Sequence, residues 1–298
     1  MGKTTSSLAL KNTLAESELI KAFRHENSWL SELASKPQWV NNDTIKIPKR
    51  GLAPNVLINN NVYPIVSNKR EDGHVVISLN KYDTENTTVT EDELYALPYD
   101  KVGDVQQQHR EELEDKTAEH ALYSIAPDHT ATTPVLVTTG PDDGTGRKRL
   151  IAADLINYKK TLDKLLVPKE GRVLVLCPDH VADLLIEDLT FKTRYQDANG
   201  GMITSNYYGF KTYEATYCPK YNATTKVRLP FGSAAAGVEG SIVFHKKNTV
   251  KAPGSVQRFA RAAADNPEMR ENTIGFRLWF IAVVIEDKGS SAIISGTV

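Results

Sequence analysis

The chain has 298 residues, 40% of them hydrophobic and 24% charged, with a formal net charge of −1. That is the make-up of a folded protein with a sizeable core; it lacks the basic excess of a dedicated nucleic-acid binder and any apolar run long enough to span a bilayer. Two cysteines, Cys177 and Cys218, are too few for a disulfide framework and fit reduced thiols in a cytoplasm.

Residues 1–13 are small and polar and read as an arm without a signal-peptide core. Ile20, Phe23, Leu30 and Leu33 share one face of a helix expected over 14–34, which Pro37 stops. Asp43–Ile47 alternates like a half-buried strand. Further strands are expected over 55–58, 62–66 and 74–82, the last two joined by the charged turn Ser67–Gly73. Together they predict a long hairpin with little core of its own, which needs another surface to lie on. Pro98–Ile125 reads as a long helix with a thin apolar stripe of Val102, Val105, Leu113, Ala121, Leu122 and Ile125. Its middle, Arg110–Lys116, is largely acidic, and a helix this polar depends on partners along its length. A loop broken by prolines and glycines is expected over 126–147.

From Lys148 the pattern becomes α/β. Ile151, Leu155, Tyr158, Leu162 and Leu165 recur at helical spacing, and Lys169-Glu170-Gly171 turns the chain. Arg172–Leu176 is almost wholly apolar, as a strand covered on both faces should be. Pro178 suits the first turn of a helix running to about Asp188. Asn199-Gly200-Gly201 signals a turn; strands follow at Tyr208–Thr216 and Ser241–His245, a short helix at Val256–Ala264, a long strand at Asn272–Glu286 and a short one at Ser291–Ser295.

Residues with chemical potential do not combine into a site. Gly2-Lys3-Thr4-Thr5 lacks the upstream glycine and strand of a phosphate loop. Gly140–Arg147 does not match a calcium loop and reads as an exposed loop. Cys177 ends a buried strand, but the following Pro178 removes an N–H that an oxyanion hole needs, so a buried structural thiol is expected. His180 and Asp183, three apart, read as a polar helix start, and His245 with Lys246, Lys247 and Lys251 as a solvated strand end. Phe276, Leu278, Trp279, Phe280 and Ile281 read as β core. No cofactor, metal or enzymatic activity is expected.

The wording of Val167–Pro219, with Lys169-Glu170-Gly171-Arg172 leading into a strand and Cys177-Pro178-Asp179-His180-Val181 opening a helix, resembles tailed-bacteriophage major capsid proteins. So do Tyr208-Gly209-Phe210-Lys211-Thr212-Tyr213 and Ser241-Ile242-Val243-Phe244-His245, and so does the order of elements over most of 40–296. The resemblance implies an α+β protein of the Hong Kong 97-type shell fold. Its parts would be an N-terminal arm with one helix (1–42), an extended hairpin loop (43–95), a peripheral domain with a long spine helix (96–147), an axial α/β domain (148–240) and return strands (241–298). It implies self-assembly into hexamers and pentamers of an icosahedral shell. The implied partners are a portal, a separate scaffolding protein, a decoration protein and weakly held double-stranded DNA, with no membrane. Lys69, Arg70, Glu71 and Asp72 of the hairpin and Glu111, Glu112, Glu114 and Asp115 of the helix are candidate contacts between subunits. Some members of this family cross-link a loop lysine to an asparagine of another subunit. Lys69 and Lys81, and Asn248, Asn266 and Asn272, are available, but nothing selects a pair, and no cross-link is the expectation. The alternatives are a nanocompartment (encapsulin-like) shell of the same fold and a small α/β hydrolase on 148–219, for which no nucleophile, base and oxyanion site converge.

Overall fold

The computed structural model describes residues 28–41, 44–49, 60–61, 63–65, 69, 71, 73–92, 100–196, 202–266 and 268–297. In chain order these form β1 (Ala34–Ser35), β2 (Val40–Asn41), β3 (Thr44–Lys49), β4 (Gly73–Ser78), β5 (Asn80–Asp83), β6 (Thr87–Thr90) and α1 (Lys101–Ile125). Then come β7 (Val135–Val137), β8 (Arg147–Lys148), α2 (Ala152–Lys164), β9 (Arg172–Leu176), α3 (Pro178–Glu187) and α4 (Leu189–Gln196). The remainder is β-rich: β10 (Met202–Tyr207), β11 (Phe210–Glu214), β12 (Lys220–Tyr221), β13 (Val238–His245), β14 (Thr249–Arg261), β15 (Glu271–Val284), β16 (Ser291–Ile294) and β17 (Gly296–Thr297). The expected arm, the first part of the helix over 14–34, the strand over 55–58 and the turn at 199–201 lie outside the described residues.

A mixed sheet in the order β10-β11-β9-β13-β16-β7 carries the α/β part, with β12 on β13. β9 sits at its centre, parallel to β11 and antiparallel to β13, and all five of its residues are buried. Strand alternation sends Val173 and Val175 to one face and Leu174 and Leu176 to the other. Both faces are covered, which is why this stretch is apolar without a break. Leu155, Tyr158 and Leu162 of α2, Val181 and Leu184 of α3 and Phe191 of α4 pack on the second face.

The other large sheet runs β1-β14-β15-β5, with β6 also on β15. Phe276, Leu278 and Phe280 of β15 share one continuous core with Leu113, Leu122 and Ile125 of α1 and with Phe244 and Ile242 of β13. The two sheets are thus joined through apolar contact rather than by a linker. Phe244 is fully buried, edge-on to Trp29 at 6.1 Å between ring centroids. Phe244→Ala is expected to cost about 3–5 kcal/mol of stability, read as a lower urea midpoint at unchanged slope; a loss below about 1 kcal/mol would mean that this junction is loosely packed.

Several expectations need correction. The helix over 14–34 does not extend to Ala34: Trp29–Glu32 is a single 3-10 turn capped by Ser28, and Ala34–Ser35 pairs with β14. Trp29, Leu30 and Leu33 are buried in the shared core, so their helical spacing marked a buried turn. Val256–Ala264 is not the expected short helix: β14 continues as a strand to Arg261, and only a 3-10 turn begins at Ala263. Its alanines and arginines favour helix, but pairing with β15 from Val256↔Leu278 to Arg261↔Thr273 overrides that weak preference. Tyr63 and Pro64 form a bend, not a strand, and β4 takes β3 as its partner. The loop over 126–147 contains β7 and β8, and α4 and β10 appear where no element was expected. Tyr208 belongs to a turn: Tyr208 (φ 49°) and Gly209 (φ 89°) are the two left-handed residues of a tight hairpin joining β10 to β11.

Candidate assembly surfaces

β3 and β4 pair antiparallel from Thr44↔Ser78 to Lys49↔Gly73 as a two-stranded ribbon. At its base Ile45 and Ile47 are buried with Leu79, Ala252 and Ile281, so the ribbon is anchored on the β14–β15 sheet. Other apolar groups of this segment are open to solvent: Val76, paired with Lys46 within the anchored stretch, is 51% exposed, and Tyr63 and Ile65 are 74% and 55% exposed. Lys69 and Glu71 are exposed, and Arg70 and Asp72 lie outside the described residues.

The long helix follows the same logic on its inner side. Val105, His109, Leu113, Thr117 and Ala121, each four residues on, form its buried face. His109 and Thr117 were absent from the apolar stripe expected from the sequence; only the four-residue spacing, not residue type, marks them. Asp100 caps the start by accepting from the Gly103 N–H at 3.1 Å. Arg228 holds the other end, donating to the Ala126 carbonyl at 2.8 Å and lying 4.1 Å over the Tyr123 ring, a favourable place for a cation. Glu111, Glu112 and Asp115 are exposed, whereas Glu114 is half-buried. Glu114 Oε1 has no hydrogen-bond partner among the described residues, and burial raises the pKa of its carboxyl.

The residues with chemical potential in the α/β part form a closed polar knot instead. Arg147 grips Asp183 with two bonds, Nη1 to Oδ2 at 2.7 Å and Nη2 to Oδ1 at 2.8 Å. Its Nε donates to Asp143 at 2.9 Å, and Asp183 also accepts the Leu150 N–H at 2.9 Å. One turn earlier on α3, His180 Nδ1 meets Ser241 Oγ at 2.7 Å and Nε2 meets Ser295 Oγ at 3.0 Å. The knot therefore ties the 140–147 loop, α3, β13 and the segment after β16. Sequence reasoning had His180 and Asp183 as a polar helix start; both point inward. It missed Arg147, Ser241 and Ser295, which lie 33 to 115 residues away along the chain.

A Ser241–His180 contact resembles half of a nucleophile–base pair, but both residues are 0% exposed and no substrate reaches them. Burial holds the His180 imidazole down to about 4 and pushes the Cys177 thiol up to about 12. Both are the signs of groups kept neutral in a core. In the 140–147 loop, Asp142 Oδ1 accepts the N–H groups of Gly144 and Gly146, each at 3.0 Å. Asp143 accepts the N–H of Thr145 at 2.8 Å, so these carboxylates serve their own loop. The strand-end lysines divide: Lys246 and Lys247 are exposed as expected. His245 is buried, its Nε2 2.8 Å from the Glu170 carbonyl, and Lys251 donates to the Leu30 carbonyl at 2.8 Å.

By sequence, no family model and no curated protein matches this chain. By structure, the capsid of Ralstonia phage GP4 matches with a TM-score of 0.65 at 9% identity, over 90% of this chain and 87% of that one. The capsid of cyanophage P-SCSP1u matches with a TM-score of 0.60 at 12% identity, over 88% and 86%. A virus-like particle from Pyrococcus furiosus matches with a TM-score of 0.55 at 10% identity, over 95% and 99%. Near-complete coverage in both directions leaves no large part of either chain without a counterpart. A two-stranded ribbon anchored on the β14–β15 sheet, a long helix across that sheet and a mixed α/β sheet make this an α+β chain with the Hong Kong 97-type shell fold of the tailed-phage capsids.

Proposed function

We propose that this chain is a major capsid protein, the subunit of an icosahedral head shell enclosing phage double-stranded DNA. The observation that carries the reading is the structural match to phage capsids along almost the whole of both chains. The surfaces agree with the role. Closed shells arise from head-to-tail contacts that close into rings, and stable contacts bury about 1,200–2,000 Å². An anchored hairpin with exposed apolar groups supplies such area without enlarging the core. In this reading the mixed sheet is the axial unit, the β14–β15 sheet with α1 the peripheral unit, and Lys69, Arg70, Glu71, Asp72, Glu111, Glu112, Glu114 and Asp115 contribute to contacts between copies in hexamers and pentamers. A portal, a scaffolding protein, a decoration protein and DNA complete the set of partners. A net charge of −1 suits a wall that faces packed DNA without gripping its phosphates.

Purified chain, alone or with its scaffold, is expected to give rings or closed shells by electron microscopy and sedimentation. A species that stays monomeric under every assembly condition overturns the proposal. The match to the Pyrococcus furiosus particle supports a second reading, a cellular compartment of the same wall. Nuclease-protected double-stranded DNA inside particles recovered from producing cells supports the first reading, and protein cargo alone supports the second.

A further inference from the structure

A cleft of about 590 Å³ lies between α1 and the turn joining β5 to β6. Val105 and Leu113 give it an apolar floor, with His109 between them. His109 is 9% exposed, its ring packs 5.8 Å from Phe276, and its Nε2 has no hydrogen-bond partner among the described residues. A buried ring nitrogen left unpaired is costly, so the site is incomplete as it stands. Burial lowers the His109 pKa and so favours the neutral ring, which carries one acceptor nitrogen.

The rim shows the same imbalance. Asp83 is held by Arg277 at 2.5 Å and by Lys81 at 3.3 Å, and Lys116 is held by Glu119 at 2.9 Å. The other two charged groups lining the cleft, Glu85 and Glu112, are exposed and make no hydrogen bond or direct ion pair with the described residues. The arrangement asks for a positive, donor-rich head on an apolar stem. A guanidinium meets that need: it has five donors and is less strongly hydrated than an ammonium.

Most described arginines are already committed within the chain, Arg147, Arg172, Arg228 and Arg277 among them. Arg270 is exposed at the end of the β14–β15 hairpin, beside Met269, which is 65% exposed, and its side chain makes no hydrogen bond or ion pair with the described residues. We propose that the cleft between α1 and the β5–β6 turn is a receptor for an arginine of a second copy, Arg270, whose guanidinium is clamped by Glu85, Glu112 and His109. The contact rests on the shell reading: it is head-to-tail, joining two different surfaces of identical chains, the kind that closes rings.

Two measurements test it. In the first, n-butylguanidinium chloride is titrated into histidine-labelled chain held below its assembly threshold, against sodium chloride at equal ionic strength. The His109 ring resonance is expected to move in the wild type and to stay still in Glu85→Gln/Glu112→Gln. A resonance that does not move in the wild type overturns the receptor. In the second, Arg270→Gln and Glu85→Gln/Glu112→Gln are each expected to raise the threshold concentration for assembly roughly tenfold, and the combination no further. An unchanged threshold in either variant overturns the contact while leaving the shell reading intact. A wild-type chain that never associates defeats the shell reading and the second-copy occupant together, and the first measurement then still decides whether the cleft takes a guanidinium.

Discussion

Asp183→Asn is expected to destabilise the folded chain by about 3–5 kcal/mol, the usual cost of removing one member of a buried, hydrogen-bonded ion pair. Asp183 is 2% exposed and accepts three hydrogen bonds, two from Arg147 and one from the Leu150 N–H. The asparagine keeps the volume but loses the charge, and its amide nitrogen places a donor against the Arg147 fork. Arg147→Ala is expected to cost a similar amount, because it strands the carboxylate in the core. The pair Arg147→Met/Asp183→Leu is expected to cost less than either single change, since an apolar pair leaves no buried charge unmatched. Urea midpoints of the isolated chain check all three. A single change that costs less than about 1 kcal/mol would place the pair with ordinary surface bridges and would remove the knot from the account of how the 140–147 loop is held.

Acidification from pH 7 to pH 4 is expected to weaken the fold, with His180 supplying about 3 kcal/mol of the loss. The cause is burial: the imidazole is 0% exposed, and its pKa is held down to about 4. An unfolded histidine takes up its proton near pH 6.5. Between those two values the unfolded chain binds the proton and the folded chain does not, so stability rises with pH across the window. The full contribution is present above about pH 6.5, is lost as pH falls towards 4, and does not change further below that. The groups around the ring divide in sign: Asp183 favours protonation and Arg147 opposes it. His109, His120 and His245, also lowered by burial, add losses in the same direction. His180→Gln retains polar contact with Ser241 and Ser295 and removes the titration. Its urea midpoint is therefore expected to fall less steeply between pH 7 and pH 4 than that of the wild type. Equal slopes would show that His180 carries its proton in the fold or that the knot opens before it titrates.

Local signals made a good part of this architecture legible. The strand Arg172–Leu176, the helix opened by Pro178 and the long β15 were expected nearly residue for residue, because each rests on a signal inside its own window. An unbroken apolar run and a proline at a first turn need no distant partner to be read. The polar helix over 101–125 was also legible, including its dependence on partners. The errors share a cause. Val256–Arg261 has helix-favouring residues and becomes strand only because β15 lies beside it in register. Leu30 and Leu33 lie at helical spacing, but the core buries them in a 3-10 turn.

The candidate sites divide in the same way. From sequence alone the chain was bounded as a folded α+β protein without convergent catalytic residues, and its hairpin and acidic helix were marked as surfaces in need of cover. Tertiary structure alone decided which polar groups meet: Arg147 with Asp183, His180 with Ser241 and Ser295, and His109 Nε2 with no partner among the described residues. The reason is range. Periodicity, capping and turn chemistry act over a few residues, whereas a buried charge or ring nitrogen must be satisfied by whatever the fold brings within about 3 Å of it, and that neighbour is set by the packing of the two sheets.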